Sequence, residues 1–529
     1  MTRRPGSLLP AWRALGVAAA LVLAVPALAA QRTTGDSLWA LGEHDAAVRA
    51  YEQELATNPG EPRSLYRMGV LLSWAGKFDS ALALLRSARL RDPDDGEIRL
   101  HQARVESWAG QYGLSVLHYD SLLQKDAHNL GAAIGRAQVL SWAGRLVEAD
   151  RAYADVLQED PGNLDALAGR GYVASWSGNL GGASGWFGQA LARDSANVNA
   201  LNGLAMVRVW QADAGAAARL SRRAVALAPD DPTTKDVAAR VHAARQPTIG
   251  LTLGWSRDSD KNEMWTQSVN TAILLGPGLR GFASAAVAEA SDPFQDGTRY
   301  GAEAGLTLVR GGTSFTGALG ARKLAPGSLG SRSLATARAA VSAALLPRTT
   351  AWLGWAHYSF DETALLLTKD LDVDEVNTEV TTQAGRLTVT GGAGLAWFSD
   401  DNVRRNAHLL LSRPLRGRLT GGLFGRIMGY ENPGSGYFTP DQFLLGEARL
   451  SWGWARRSWD TYLAGGLGVQ KVGSAGDPQS QWHIEGRVAR QLGLNDEVAL
   501  SGGISNSAVS STVGAFRYYS AQLSVRLGL

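Results

Sequence analysis

A tryptophan recurs at an interval of 34 residues through the first half of the chain. The five positions are Trp74, Trp108, Trp142, Trp176 and Trp210, and the first four stand in the near-identical words SWAG or SWSG. A fixed period of this length predicts a solenoid in which each repeat is a helix–turn–helix unit. Solenoids of this kind bind partners and rarely catalyse reactions.

Each period also repeats a pattern of small residues. The unit 62–95 has Gly76 two residues after its tryptophan, Ala81 in its second half and Pro93 near its end. This pattern resembles the tetratricopeptide repeat, in which small residues let two antiparallel helices pack closely. We count five full units over 62–231, with a degenerate unit before them and a polar capping helix after them.

The first thirty residues have the pattern of a secretory signal peptide. Basic residues come first, an apolar run follows over 14–25, and small residues then offer a cleavage site. We therefore expect a signal peptide over 1–30, an all-α repeat domain over 31–245 and a second domain over 246–529.

Composition restricts what the exported chain can be. It has no cysteine, so neither disulfides nor thiol chemistry is available to it. A net charge of +3 is too small to suggest nucleic acid as a partner. No segment after the signal is long and apolar enough for a transmembrane helix, so a membrane-spanning form would have to be a closed β-barrel.

Beyond residue 246, apolar side chains alternate with small or polar ones. Tyr300, Ala302 and Leu306 interleave with Arg299, Glu303 and other small or polar residues. Segments of about ten residues with this alternation are typical of transmembrane β-barrels, apolar toward lipid and polar toward the lumen. We interpret the inward-facing charged residues mainly as ion pairs that fill the lumen.

The connections between these segments alternate in length. The second, fourth, sixth and eighth are tight, such as Gly276–Gly278, whereas odd-numbered connections such as 361–372 are longer and polar. This alternation matches the periplasmic and outer faces of bacterial barrels, with both barrel termini on the short-turn side. We predict an antiparallel barrel of about sixteen strands; fourteen is the alternative, because 361–383 is hard to assign.

The repeat domain carries the candidate binding residues. On a helical wheel Trp74 lies away from the apolar face of its helix, on the face that lines the concave groove in this repeat family. The hypothesis is a ligand-binding ladder of Trp74, Trp108, Trp142, Trp176 and Trp210, with Arg104, Gln138 and Tyr172 as polar contacts. Such aromatic faces suit sugars or unfolded peptide. The alternative is that each tryptophan packs against the next repeat.

Catalytic and metal motifs are not found in the sequence. The eight histidines are scattered singly, and there is no phosphate-binding P-loop. The acidic run 370–379 starts like a calcium loop but lacks its glycine and closing glutamate, so a solvated outer loop or a lumen-facing strand start is favoured. We expect no catalytic residue, no metal and no cofactor.

The signal peptide, the repeats with SWAG words and the alternating terminal half together resemble the YaiO-type outer-membrane β-barrel proteins. The likeness covers nearly the whole mature chain and includes the stretch 296–303. The order of domains is also similar to exopolysaccharide secretion porins, whose periplasmic repeats guide polysaccharide into a sixteen-stranded barrel. The repeat array is shorter than is usual in those porins, and Leu529 stands where an aromatic residue commonly ends an outer-membrane barrel.

The resemblance implies an outer-membrane location with the repeat domain in the periplasm. The expected partners are outer-membrane lipid and, through the repeats, a periplasmic protein or polysaccharide. The expected function is export or assembly of a surface polysaccharide. The alternative is a non-transporting outer-membrane anchor for a periplasmic protein–protein interaction scaffold.

Overall fold

The computed structural model describes residues 34–327, 330–346, 348–432, 437–506 and 517–529. The signal peptide expected over 1–30 lies outside these residues. The chain divides into two compact units, one comprising residues up to Val207 with Leu220–Ala238, the other comprising Arg208–Arg219 with Ala239–Leu529.

Antiparallel helix pairs build the repeat region, which confirms the predicted tetratricopeptide-type solenoid. Its helices are α1 (Thr34–Ala40), α2 (His44–Thr57), α3 (Pro62–Trp74), α4 (Phe78–Arg91), α5 (Gly96–Trp108), α6 (Tyr112–Lys125), α7 (Leu130–Trp142), α8 (Leu146–Glu159), α9 (Leu164–Trp176), α10 (Leu180–Arg193), α11 (Val198–Trp210), α12 (Ala214–Leu227) and α13 (Pro232–Arg245). In each of the five full repeats the first helix ends at the repeated tryptophan. None of the helices in the described ranges is long and apolar enough to cross a lipid bilayer.

Capping residues fix where the first helix of a repeat begins. The side chains of Glu61, Asp95, Asn129 and Asn163, again 34 residues apart, accept hydrogen bonds from backbone amides of the first turn. These amides have no partner within the helix, so the caps satisfy them.

A residue with positive φ separates the two helices of each full repeat. Gly76, Gly110, Gly144 and Gly178 have φ between +75° and +80°, a conformation that glycine adopts without steric cost. The fifth full repeat has Ala212 at the equivalent position, with φ of +59°.

The second helices pack through small side chains. Ala81, Ala149 and Ala183 are fully buried at equivalent positions. In the repeat where serine replaces this alanine, the Ser115 hydroxyl donates to the Ala103 carbonyl at 2.6 Å, so no buried polar group is left unsatisfied there.

The second half of the chain is a closed antiparallel barrel of sixteen strands. They are β1 (Thr248–Asp258), β2 (Glu263–Gly276), β3 (Leu279–Ser291), β4 (Asp296–Arg310), β5 (Thr313–Pro326), β6 (Arg332–Leu346), β7 (Thr349–Ser359), β8 (Asp372–Ala384), β9 (Leu387–Phe398), β10 (Val403–Pro414), β11 (Leu419–Tyr430), β12 (Phe443–Arg456), β13 (Trp459–Val472), β14 (Pro478–Gln491), β15 (Glu497–Ser505) and β16 (Tyr518–Gly528). The prediction of sixteen strands is confirmed, and the alternative of fourteen is wrong.

The barrel closes between its first and last strands. β1 pairs with β16 in a register that runs from Thr248 opposite Gly528 to Asp258 opposite Tyr518. Closure leaves no unpaired sheet edge, which a strand array in hydrocarbon requires. The chain enters and leaves the barrel at the end where the predicted tight turns lie.

Side chains alternate between the two faces of the barrel wall as the sequence predicts. Along β4, Tyr300, Leu306 and Leu308 are exposed on the outer face, whereas Arg299 and Glu303 point inward. The outward set is apolar and the inward set is polar, so the two faces suit different surroundings.

One connection departs from the rest. Residues 360–371, between β7 and β8, contain the four-residue helix α14 (Ala364–Leu367), and Ala364, Leu366 and Leu367 are all buried. This segment explains why 361–383 was hard to assign: only its second part is a strand.

Candidate functional site

The five repeated tryptophans all end the first helix of a repeat, but they are not equally exposed. Trp74, Trp108, Trp142 and Trp176 are half-buried, whereas Trp210 is 45% exposed. A half-buried indole has one part in the repeat and another that solvent or a ligand can reach.

Ring contacts tie the earlier tryptophans to the preceding repeat. Trp74 lies 5.3 Å, between ring centroids, from His44, and Trp108 lies 6.5 Å from Phe78. His44 and Phe78 are the first residues of the second helices α2 and α4. Packing therefore accounts for part of the surface of these two indoles, and their role in binding stays a prediction.

Trp142 differs from Trp74 and Trp108, because it makes no ring contact with another aromatic residue of the described chain. Within the predicted ladder, ring contacts among described residues join Tyr172 with Trp176 at 5.8 Å and no other pair. The five repeated tryptophans are thus spaced along the array, and among the described residues no two of their rings stack on each other.

Two of the three predicted polar contacts are engaged within the repeats. Tyr172 donates to Asn199 Oδ1 at 2.8 Å, in the first helix of the next repeat, and burial raises its pKa. Arg104 is hydrogen-bonded to Tyr119, whose pKa burial raises to about 12. Gln138 is half-buried and has no side-chain hydrogen bond within the described ranges, so its amide is the most available of the three.

Sequence analysis missed a sixth tryptophan at the start of the array. Trp39 stacks on Trp74 with ring centroids 5.2 Å apart, and the guanidinium of Arg67 lies 4.6 Å from its ring centroid. Trp39 stands three residues before Gly42, whereas Trp74, Trp108, Trp142 and Trp176 each stand two residues before a glycine. A search that allowed this shift of one residue would have found it.

A half-buried histidine also lies on a first helix of the repeats. The Tyr66 hydroxyl and His101 Nδ1 are 3.0 Å apart, across successive first helices. Burial, followed by the positive charges of Arg104 and Arg67, lowers the pKa of His101 to about 4. His101 is therefore neutral at physiological pH in the folded repeats.

Several charged side chains that face the barrel lumen are paired. Arg487 lies 2.5 Å from Glu497, and Glu447 contacts both Arg449 and, at 3.1 Å, His483. These contacts agree with the interpretation that such residues fill the lumen as ion pairs.

The acidic run that starts like a calcium loop is also an ion-pair network. Arg332 contacts both Asp370 and Asp372, and Glu375 lies 2.6 Å from Arg404. In the described part of the chain, no group of three or more suitable side chains is placed to hold a metal ion.

The molecule thus joins a tetratricopeptide-repeat array to a closed sixteen-stranded barrel. Residues 38–105 match the tetratricopeptide repeat family. No curated protein matches the sequence.

Three solved structures illustrate the similarity of fold. A bacterial polysaccharide outer membrane secretin has a TM-score of 0.45 and 12% identity, covering 54% of this chain and 99% of its own. A tetratricopeptide repeat protein from Parabacteroides merdae has a TM-score of 0.37 and 16% identity, and the match covers 39% of this chain and 81% of that protein. A thermophilic tetratricopeptide repeat protein of Thermus thermophilus has a TM-score of 0.32 and 22% identity, and the match covers 35% of this chain and 98% of that protein. At TM-scores below 0.5 these likenesses carry no argument about function.

Proposed function

We propose that the chain is a non-enzymatic outer-membrane protein whose repeats bind an extended ligand or partner in the export or assembly of a surface polysaccharide. The observation that carries this proposal is the outer surface of the barrel. Leu319 and Leu467 are 74% and 73% exposed there, and Leu423 is exposed on the same face. A soluble protein rarely exposes so much contiguous apolar surface, whereas a lipid-facing barrel requires it.

The topology of the barrel supports a periplasmic repeat domain. β1 begins and β16 ends on the side of the short turns, which face the periplasm in bacterial barrels. The repeats precede β1 in the chain, so we place them on that side of the membrane. The resemblance to YaiO-type proteins remains a prediction.

The membrane location has a direct test. The mature protein is expected to stay with the outer-membrane fraction and to migrate differently on gels before and after heating, as folded barrels do. Recovery of the protein as a soluble species, without detergent and without heat-dependent mobility, would overturn the proposal.

Support for a polysaccharide ligand comes from the repeated tryptophans, because flat aromatic faces pack against sugar rings. Trp142 gives the cleanest test, since it lacks the ring contacts that Trp74 and Trp108 make with the preceding repeat. Trp186, which lies on the second helix α10 with Arg170 4.0 Å above its ring, serves as the matched control.

The probes are cello-oligosaccharides and β-1,6-linked N-acetylglucosamine oligomers, titrated onto the full chain in detergent. We expect Trp142→Ala to lower affinity at least tenfold with an unchanged helical melting curve, and Trp186→Ala to leave affinity unchanged. Equal affinity of the Trp142→Ala and unsubstituted proteins for both probes would contradict glycan binding by the ladder.

A second candidate function is the non-transporting anchor, and the buried segment 360–371 favours it because this segment occupies part of the barrel interior. Measurement of ion conductance in planar bilayers distinguishes an exporter from a non-transporting anchor. An exporter conducts ions, at least after this segment is removed, whereas an anchor with a filled lumen remains silent in both forms.

A further inference from the structure

The segment 360–371 lies inside the barrel. Ala364 and Leu367 pack in one apolar cluster with Ala290 of β3 and Leu324 of β5. Strand β3 lies six positions from β9 in the ring of sixteen, so β3 and β9 belong to different parts of the wall.

The other face of the segment packs toward β9. Phe360, Leu366 and Leu371 belong to a cluster that also contains Phe398 of β9 and Tyr430 of β11. Phe360 is perpendicular to Phe398 at 5.3 Å between ring centroids. A segment that packs between two parts of the inner wall occupies part of the lumen, so we name residues 360–371 the plug.

Ionic ties hold both ends of the plug. Asp361 is 2% exposed, with Oδ1 2.5 Å from Arg299 of β4 and Oδ2 2.9 Å from Arg322 of β5. At the other end Asp370 pairs with Arg332 of β6. One wall of the barrel thus supplies three guanidinium groups to the plug, and loss of the Asp361 charge would remove the carboxylate that Arg299 and Arg322 share.

The barrel does not need the plug for closure. β7 and β8 pair along their full length up to Ser359 opposite Asp372, the two residues that flank the plug. Movement of the plug about these two residues would break no hydrogen bond of a strand pair.

The plug also leaves one sector of the lumen open. A cavity of about 520 Å³ lies along β1, β2 and β13–β16, and none of its lining residues belongs to the plug. Its inward-facing residues include Thr252, Ser256, Tyr462 and Gln522. Displacing the plug would widen this cavity into the full bore that a sixteen-stranded barrel can hold.

We propose that the plug is a gate, latched by Asp361 between Arg299 and Arg322, and that the barrel reaches its full bore when this latch is released. The inference rests on the proposed membrane location and adds a means of regulating the lumen. The ion pairs of the latch can break without unfolding the barrel wall. The apolar contacts of the plug with the wall favour its return to the position seen in the structure.

Planar-bilayer recording of the full chain tests the gate. Deletion of 362–369, with a two-glycine bridge, should raise the unit conductance several-fold over that of the unmodified protein. Asp361→Asn should raise the fraction of time in the same large state at least tenfold. Glu303→Gln is the control, because it breaks the Arg338–Glu303 pair, which lies outside the latch, and should leave gating unchanged.

The absence of cysteine makes a reversible lock possible. Ala290→Cys with Ala364→Cys places one thiol on the wall and one on the plug within a single cluster. Joining them, by oxidation or with a short bifunctional reagent, in the Asp361→Asn background should abolish the large state. Reduction of the disulfide form should restore it. The same pair in the unsubstituted background keeps the test informative if Asp361→Asn fails to fold.

Two outcomes overturn the gate. If the deletion leaves unit conductance unchanged in a protein that still shows heat-dependent gel mobility, the plug does not obstruct the lumen. If Asp361→Asn folds but does not change the open time, the Asp361 latch does not hold the plug. Failure of the membrane proposal is distinguished from both, because the protein would then be soluble and show no heat-dependent mobility.

Discussion

The repeat array has a core of buried leucine side chains, whereas the barrel carries many exposed leucine side chains on its outer wall. Leu65, Leu82 and Leu140 are buried between helices, whereas Leu319 and Leu467 are largely exposed on the barrel wall. In the repeats leucine stabilises the fold by leaving water for a helical core. On the barrel wall the same residue type would be stable where the proposed membrane location surrounds it with hydrocarbon.

A charge introduced into the helical core should give the largest effect. Leu140→Arg places a guanidinium at a fully buried site without a partner, and we expect a loss of roughly 4 kcal/mol or more in the stability of the repeats. Thermal melting followed by circular dichroism at 222 nm measures it. Leu117→Arg, at an exposed site on α6, should change stability by less than about 0.5 kcal/mol. Similar losses for the two variants would mean that the helices do not pack as described.

The same substitution on the barrel wall tests what surrounds it. Leu467→Arg should cost roughly 2–4 kcal/mol in a lipid bilayer, because a charge then faces hydrocarbon. Denaturant unfolding in vesicles gives the change. The matched control is Gln522→Arg, whose side chain faces the lumen and should alter stability by less than about 1 kcal/mol. A neutral or stabilising Leu467→Arg would show that the outer face lies in water.

Local patterns explain why much of the fold could be predicted. The helix pairs repeat within 34 residues, and strand alternation depends on nearest neighbours, so both could be predicted. The tight connection expected at Gly276–Gly278 lies between β2, which ends at Gly276, and β3, which begins at Leu279.

Non-local contacts explain what the sequence did not reveal. Asp361 accepts a hydrogen bond from Arg299, which lies 62 residues away in the sequence. No local sequence pattern indicates that a polar connection between strands folds inward into the barrel lumen. Tyr172 shares a helix face with the tryptophans, but its hydroxyl is bound by Asn199 in the next repeat. The binding role of the ladder therefore remains a prediction.

Acid should weaken the repeats. Because burial lowers the pKa of His101 to about 4 from 6.5, the unfolded chain binds this proton more readily than the folded repeats. The contribution is complete above about pH 6.5 and is lost as the pH falls toward 4, by on the order of 2 kcal/mol. Helical melting from pH 7 to pH 4 measures the slope.

His101→Gln should flatten that slope, because glutamine does not titrate. His128→Gln, which removes an exposed histidine of the same array, should leave it unchanged. An equal slope for the His101→Gln and unsubstituted proteins would assign the acid sensitivity to other groups.

The smallest predicted effect concerns the one full repeat that lacks its turn glycine. Ala212 has φ of +59°, in the left-handed region where a β-carbon is unfavourable, so Ala212→Gly should stabilise the repeats by about 0.5–1 kcal/mol. Ala109, one residue before the equivalent Gly110 and in a right-handed helical conformation, supplies the opposite control. Ala109→Gly should destabilise by about 0.5–1 kcal/mol, since it only adds freedom to the unfolded chain. Helical melting midpoints that move in the same direction for both variants would contradict the left-handed geometry at Ala212.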